Sequence, residues 1–410
     1  MMNNNSSPKT IPDDLIMDNI LTRLEVRPLL CFKSVSRGWL SMISSPEFAK
    51  KHFELMFPSH DQNLIVQEER DSEEEDKFYL SFDNNYNLIE YTRLMNRHPT
   101  LRFNTLNTRV VGSSNGLLCM YDEDSLRLYV WNPATNHCRE TIVPLARGRW
   151  DDFQMKCIGF GYVSSIDDYK IGCFVLYNQT LQILMFSLKT GIWTQKPQTV
   201  LYYPLLLTFE DENPAFVGDT IYWIPQHLNP EINYIIGLDL VEEDMVFIPV
   251  IARFPGDWVS AKLFRMEGCL ALCLIQNYAN DEKSICHVWK MKREEYGEEA
   301  YAISWKKVLC LNYVGTDFNF LFETGKCLVS QISYQSHRLI LHELSKVSKP
   351  KQEQEQEQQE EQEQERQKPP DEGTIVWESA DGGSLANYFS SRATFGYSES
   401  LVSPLEENED

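Results

Sequence analysis

The run Gly112-Ser113-Ser114-Asn115-Gly116 fits the G-x-S-x-G spacing of a serine nucleophile elbow. That elbow presents its hydroxyl on a sharp turn between a strand and a helix. Here the apolar run Leu117–Tyr121 follows Gly116 directly and reads as a second strand. Asn115-Gly116 is a hairpin turn pair, so the motif reads as a turn and not as a nucleophile. Cys269 and Cys273 stand four residues apart. On a strand both point to one face, as small core residues do. Cys286-His287 adds no second ligand pair at zinc-finger spacing, and the eight histidines are scattered. These residues indicate neither a metal site nor a cofactor. The phosphate loop pattern G-x-x-x-x-G-K-[ST] does not occur, so nucleotide chemistry is not indicated either. What is left is aromatic and basic. Trp150 and Trp258 fall between strand-like runs, Arg147 and Arg149 flank the first, and Tyr202 and Tyr203 fall in another such gap. Arg and aromatic side chains are typical anchors of protein interfaces, so these six are the candidate contacts for a protein partner.

Two kinds of element must position them. Over residues 11–53 the apolar residues Leu15, Ile16, Ile20, Leu21 and Leu24 fall at helical spacing. Asp13 and Asp14 lie early, where negative charge suits a helix N-terminus. Pro28 suits the first turn of a second helix, which Leu29, Leu30, Phe32 and Val35 continue. Ser36-Arg37-Gly38 interrupts the pattern, Trp39, Leu40 and Ile43 resume it, and Ser45-Pro46 ends it before a short helix through Phe48 and Phe53. Three or four short helices in about 40 residues have little core of their own. The stretch also holds more apolar side chains than it can bury, which predicts that a partner covers one face.

From residue 60 the apolar period changes from 3.6 to 2, and the runs come as six hairpin pairs. Aligned on Trp131, Phe186, Leu238, Trp289 and His342, the second strands recur at steps of 55, 52, 51 and 53 residues. Each later hairpin has a candidate inner strand before it, and every hairpin has a candidate outer strand after it. A period near 50 with four strands per repeat marks a kelch-like propeller. Trp131, Trp193, Trp223, Trp289 and Trp305 recur within the strands and read as core. The first hairpin lacks an inner strand, and Ala393–Tyr397 is left over at the other end of the chain. Pairing that strand with Asn63–Gln67 removes both exposed edges and closes six blades. The expected class is therefore α+β: a small helical N-terminal unit followed by an all-β propeller-like domain over residues 60–404, six blades closed by a C-terminal strand.

Charge separates the body from its appendages. The chain of 410 residues carries 38 basic and 60 acidic side chains, a net charge of −22. Residues 68–76, residues 351–372 and the last five residues together hold −16 of it. Residues 1–10 and 405–410 read as tails and 68–76 as an acidic loop. The Gln/Glu tract 351–372 has no apolar residue with which to offset chain entropy, and reads as a disordered insertion in the last repeat. So acidic a surface argues against nucleic acid and against an anionic membrane. No signal-peptide core and no run of ~20 apolar residues is visible. The ten cysteines read as reduced, buried thiols.

Residues 11–53 resemble the plant F-box. The resemblance is carried by Ile11-Pro12-Asp13, Ile20-Leu21, Arg23-Leu24, Val26, Leu29-Leu30, Phe32-Lys33, Val35-Ser36-Arg37, Trp39, Ile43, Pro46, Phe48 and Ala49. The remainder resembles the plant F-box-associated domain through Val110–Asn136, Ile158–Ile171, Phe186–Trp193, Val217–Trp223, Cys286–Lys292 and Ser398–Pro404. The chain departs from the family at Ile11, where Leu is usual, and at Glu25, where Pro is usual. The resemblance implies a cytoplasmic or nuclear substrate receptor of a Skp–cullin–F-box ubiquitin ligase, with no catalysis of its own. Its partners would be a Skp-type adaptor, through it a cullin and a RING subunit, and a protein substrate. Pro12, Leu15, Ile20, Leu21, Leu24, Leu29, Leu30, Val35, Trp39 and Ile43 are then expected to divide between the F-box core and the adaptor groove. The competing reading is a sugar-binding lectin or propeller enzyme with the F-box as a passenger. It requires convergent polar groups in a central pocket, and the sequence shows no such set.

Overall fold

The computed structural model describes residues 13–56, 63–69, 75–82, 88–93, 108–144, 153–177, 180–198, 214–225, 234–250, 258–277, 284–296, 300–313, 317–323, 326–333, 336–343, 374–378 and 390–404. The chain is mostly β, with a few helices at its N-terminal end. The helices are α1 (Asp13–Asn19), α2 (Val26–Phe32), α3 (Arg37–Ile43) and α4 (Pro46–Met56), with a 3-10 turn over Leu21–Arg23. Serines set two of the boundaries by accepting otherwise unpaired helical N–H groups. Ser36 Oγ accepts from Trp39 N at 3.1 Å, and Ser45 Oγ accepts from Phe48 N at 3.2 Å. Ser36 is therefore the cap of α3, so Arg37 and Gly38 are already helical and do not interrupt a helix. Ser45-Pro46 ends one helix and starts the next, with Pro46 at the position whose missing N–H costs nothing. Leu21, Val26, Leu29, Ile43, Phe48 and Ala49 form the core between these helices. His52 is buried beneath them, with Nε2 2.7 Å from the Leu24 carbonyl.

The strands run in chain order as β1 (Asn63–Glu69), β2 (Glu75–Phe82), β3 (Leu88–Arg93), β4 (Thr108–Ser114), β5 (Leu117–Asp122), β6 (Arg127–Trp131) and β7 (Cys138–Ile142). Then come β8 (Phe153–Val163), β9 (Asp168–Tyr177), β10 (Thr180–Ser187), β11 (Trp193–Gln198), β12 (Ala215–Val217), β13 (Thr220–Trp223), β14 (Tyr234–Asp239) and β15 (Asp244–Pro249). The last are β16 (Trp258–Met266), β17 (Cys269–Asn277), β18 (Ser284–Tyr296), β19 (Ala300–Tyr313), β20 (Asp317–Glu323), β21 (Lys326–Ser333), β22 (Ser336–Glu343), β23 (Thr374–Glu378) and β24 (Ser390–Tyr397). Among the described residues they form six four-stranded antiparallel sheets. Five sheets use four consecutive strands, and the sixth has the order β24-β1-β2-β3. Asn63 pairs with Tyr397 and Gln67 with Ala393, which is the pairing the leftover strand required. Innermost strands touch in succession: β4 meets β8, β8 meets β12, β12 meets β16, β16 meets β20, β20 meets β24, and β24 meets β4.

Three strand readings change. The acidic run 68–76, expected as a loop, lends Glu68 and Glu69 to β1 and Glu75 and Asp76 to β2, because backbone pairing extends the hairpin past its last apolar residues. Trp258 was expected in a gap, but it is the first residue of β16 and pairs with Gln276. A bulge just after it hides the alternation. The β18–β19 hairpin is also longer than apolar spacing suggests, running from Ser284↔Tyr313 to Tyr296↔Ala300. The far end of β18 carries Lys292, Arg293, Glu294 and Glu295, so that strand has no apolar alternation to read.

The turns follow from local chemistry. At Asn115-Gly116 both residues adopt positive φ, 49° and 78°, as a tight hairpin turn requires. Asp122 Oδ1 accepts from the N–H groups of Asp124 and Ser125, and Asp239 Oδ1 accepts from those of Val241 and Glu242. These side chains mimic a backbone turn. The core lies between neighbouring sheets: one cluster joins β4–β7 to β8–β10 through Val111, Cys119, Leu128, Phe160, Cys173 and Phe186. Another joins β8–β10 to β13 and β14 through Phe174, Ile183, Ile221, Trp223 and Leu238. Sheets approach so closely that a Cβ on Gly161 would overlap the Phe216 ring. Trp131 and Trp223 are fully buried, and Trp193, Trp289 and Trp305 are half-buried against these cores. Trp193 Nε1 donates to Thr141 Oγ1 at 2.8 Å, and Trp305 Nε1 to the Pro249 carbonyl at 3.1 Å. Each indole thus reaches back to the outer strand of the preceding sheet.

Alternating strand direction gives the array two faces. The turns β4–β5, β6–β7, β8–β9, β10–β11, β12–β13 and β14–β15 all lie at one end of their strands. Polar contacts tie this face together. Asn115 donates to the Tyr169 hydroxyl at 3.0 Å, Ser165 to Asp219 at 3.1 Å, and the buried Lys170 to the Leu240 carbonyl at 2.7 Å. The helical unit sits on this face, where Lys50 pairs with Asp167 at 2.9 Å.

Candidate interaction surfaces

The ten residues expected at the adaptor separate by burial. Leu21, Leu29 and Ile43 are 1%, 0% and 0% exposed and hold the helices together. These three fall on the core side of the expected division between core and adaptor groove. Leu24, Leu30 and Trp39 are half-buried against the same cluster, with Trp39 edge-on to Phe32 at 5.7 Å between ring centroids. Leu15, Ile20 and Val35 face out, at 53%, 47% and 61% exposure. Pro12 lies outside the described residues. Leu40 on α3, which the expected set omits, is exposed as well. Its signal was available: it continues the helical spacing of Trp39 and Ile43 but falls on the outer side.

The helical unit meets the sheets through ion pairs and through the chain's own end. Arg27 lies 3.1 Å from Glu90 and 3.5 Å from Glu399. Burial pushes the Glu399 carboxyl above the usual carboxylate range, while Arg27 opposes that shift. The Tyr162 hydroxyl and Lys50 hold the Asp167 carboxyl below its usual range. Exposed pairs of this kind contribute at most about 1 kcal/mol each, so they orient the contact more than they hold it.

Of the second candidate set, Arg147, Arg149, Trp150, Tyr202 and Tyr203 lie outside the described residues. Their positions in the chain are nonetheless informative. They fall in the connections from β7 to β8 and from β11 to β12, which leave the strands at the end opposite the helical unit. Trp258, at the start of β16, is at that same end.

The cysteines carry little chemistry. Burial raises the thiols of Cys119, Cys157 and Cys173 well above their usual range, which keeps them protonated and unreactive. Cys31 on α2 departs from the expectation of buried thiols and is exposed. Among the described residues no helix is long and apolar enough to cross a membrane.

A small helical unit with outward apolar side chains, seated on one face of an array of four-stranded sheets, defines the architecture as propeller-class with an added helical unit. Comparison with known proteins identifies the modules. The sequence profile of the F-box associated beta propeller domain matches residues 65–361. An F-box protein of Arabidopsis thaliana is 29% identical over 238 residues, covering 56% of this chain and 48% of the relative, so the chain spans about half that protein's length. An F-box/kelch-repeat protein of the same plant is 25% identical over 315 residues, covering 76% of this chain and 82% of the relative. The F-box protein CPR1, also from Arabidopsis thaliana, is 26% identical over 330 residues, covering 73% and 72%. The chain belongs to this family: it is a plant-type F-box protein with an F-box associated propeller domain. The matched region ends before β23 and β24, which nevertheless complete two of the six sheets.

Proposed function

We propose that this chain is the substrate receptor of a Skp–cullin–F-box ubiquitin ligase, built as an F-box on a closed six-bladed propeller and doing no chemistry itself. The observation that carries the reading is the division of the F-box helices. Their core is filled, yet Leu15, Ile20, Val35 and Leu40 remain exposed on a unit of some 40 residues. Exposed apolar side chains at that density mark an interface. The succession of innermost strands, with β20 against β24 and β24 against β4, supports ring closure. The second partner is the protein to be ubiquitinated. The connections holding Arg147, Arg149, Trp150, Tyr202 and Tyr203, with Trp258 at the start of β16, would supply aromatic and guanidinium anchors at the end away from the F-box. Substrate and adaptor would then bind without competing, in the cytoplasm or nucleus.

Co-expression with a Skp-type adaptor and a cullin tests the reading. Wild-type chain should co-purify with both, and Leu15→Asp with Val35→Asp should lose both while keeping its melting temperature. Retention of the adaptor by that variant at physiological salt would reject the surface. Trp150→Ala with Arg149→Ala should leave the adaptor bound and reduce capture of the substrate found by proximity labelling.

A further inference from the structure

After β24 the chain does not trail away. Ser398, Ser400 and Leu401 are 7%, 0% and 6% exposed, as buried as the strands before them. Leu401 lies in the F-box core with Leu21, Val26, Leu29, Ile43, Phe48 and Ala49, although nearly 350 residues of chain separate it from α4. Val402 touches two cores at once, that of the F-box and the cluster between the β4–β7 and β8–β11 sheets. Ala134, from the turn after β6, adds a further contact to the F-box side.

Polar groups fix the backbone of this segment. Asn132 is fully buried, and its Nδ2 donates to the carbonyl oxygens of Ser400 at 3.0 Å and Val402 at 2.7 Å. Its Oδ1 accepts from the N–H groups of Ala134 at 2.8 Å and Thr135 at 3.3 Å. One side chain thus satisfies four backbone groups, two in its own turn and two in the C-terminal segment. Opposite, Gly116 leaves space that a Cβ would fill: the added carbon would overlap Ser400 and lie 2.6 Å from the Ser398 carbonyl oxygen. Glu399 pairs with Arg27 of α2, and Ser403 lies 3.4 Å from His137 Nδ1.

We infer that Ser398–Pro404 is an in-cis partner of the F-box: Leu401 completes its core, and Asn132 and Gly116 clamp the segment to the propeller. The F-box is then not an independent module on a linker. Its fold and its orientation both depend on the residues that follow β24. Resting on the ligase-receptor reading, this makes adaptor docking conditional on an intact C-terminus. It also makes the F-box and propeller one rigid spacer between adaptor and substrate.

Hydrogen exchange on the full chain tests the inference, with Leu401→Ala as the first variant. Truncating a buried Leu should raise exchange at the amides of residues 26–56 by about tenfold or more, while amides of β8–β10 keep their protection. Adaptor co-purification should fall in parallel. Unchanged exchange over residues 26–56 would overturn the inference. Equal loss in helices and sheets would overturn it too, since the segment would then belong to the sheets alone. Asn132→Asp is the second variant: it keeps the acceptor in the turn, removes the donors to Ser400 and Val402, and should reproduce the helix-specific change. If wild-type chain shows the exchange pattern but binds no adaptor, the ligase reading fails and the cis contact stands.

Discussion

Asn63, the first residue of β1, stands opposite Tyr397, the last residue of β24, in a ladder that joins the two ends of the sheet domain. Tyr397 is buried, and its ring meets that of Tyr79 edge-on at 6.0 Å between centroids. A chain ending at residue 389 loses this strand and leaves β1 with a row of unpaired backbone groups. It should aggregate on expression, not merely fray. Size-exclusion chromatography checks this, and a soluble, cooperatively melting truncation would show that β24 is dispensable.

Within the F-box, burial predicts two different phenotypes for chemically similar substitutions. Leu29→Ala removes a fully buried side chain and should cost about 2–5 kcal/mol of local stability. Adaptor binding would then be lost through unfolding. Leu15→Ala removes an exposed side chain and should change stability by less than about 0.5 kcal/mol. Circular dichroism of the helical signal on heating separates the two.

The Gln/Glu tract lies outside the described residues, but its anchors do not. Leu341 and Thr374 are cross-strand partners at the end of the β22–β23 ladder, so the tract is the loop of a hairpin. Loop length enters closure entropy at about 0.6 kcal/mol per doubling. Deleting residues 351–368 should leave the melting temperature within a few degrees of wild type by scanning calorimetry, as expected for a small change in free energy.

His287 gives the sheets a defined acid sensitivity. Burial, assisted by the charge of Lys307, lowers its imidazole from 6.5 to about 4. The folded chain therefore keeps it neutral where the unfolded chain protonates it. The stability this neutral form contributes is fully present above the unfolded value and is lost as pH falls toward about 4. His287→Asn should flatten the fall of the melting temperature between pH 6.5 and 4, with little change in slope above pH 7. An identical slope for both proteins would show that other groups set the acid limb.

The sheets were legible in the sequence because each is packed between two neighbours, so strands such as β5, β9 and β10 read as short apolar runs bounded by turn residues, recurring at a period near 50. The F-box was legible through helical spacing at short range, although Ser36, read as part of a break, proves to be the cap of α3. Legibility failed where one signal masked another. At Trp258 a bulge broke the alternation, and the charged run Lys292–Glu295 offered none. The division of Leu21, Leu29 and Ile43 from Leu15, Ile20 and Val35 could not be read at all. Helical spacing marks a face as apolar without saying whether the same chain or another covers it. Leu401 is the sharpest case. The residue that covers that face comes from the far end of the chain, a distance over which spacing carries no information.

The ladder between β1 and β24 also has a meaning in time. A ribosome adds about 5–20 residues per second, so β1 emerges on the order of half a minute before its inner partner exists. Throughout that interval it presents a bare edge beside an unfinished ring. Its far end is poorly suited to strand pairing: Glu68 stands opposite Asp76, and Glu69 opposite Glu75. Facing like charges weaken the finished hairpin. They also repel a second nascent chain that would add to the same edge, as gatekeeper charges do. Replacing Glu69 and Glu75 with Thr should therefore raise the melting temperature of purified protein and lower its soluble yield.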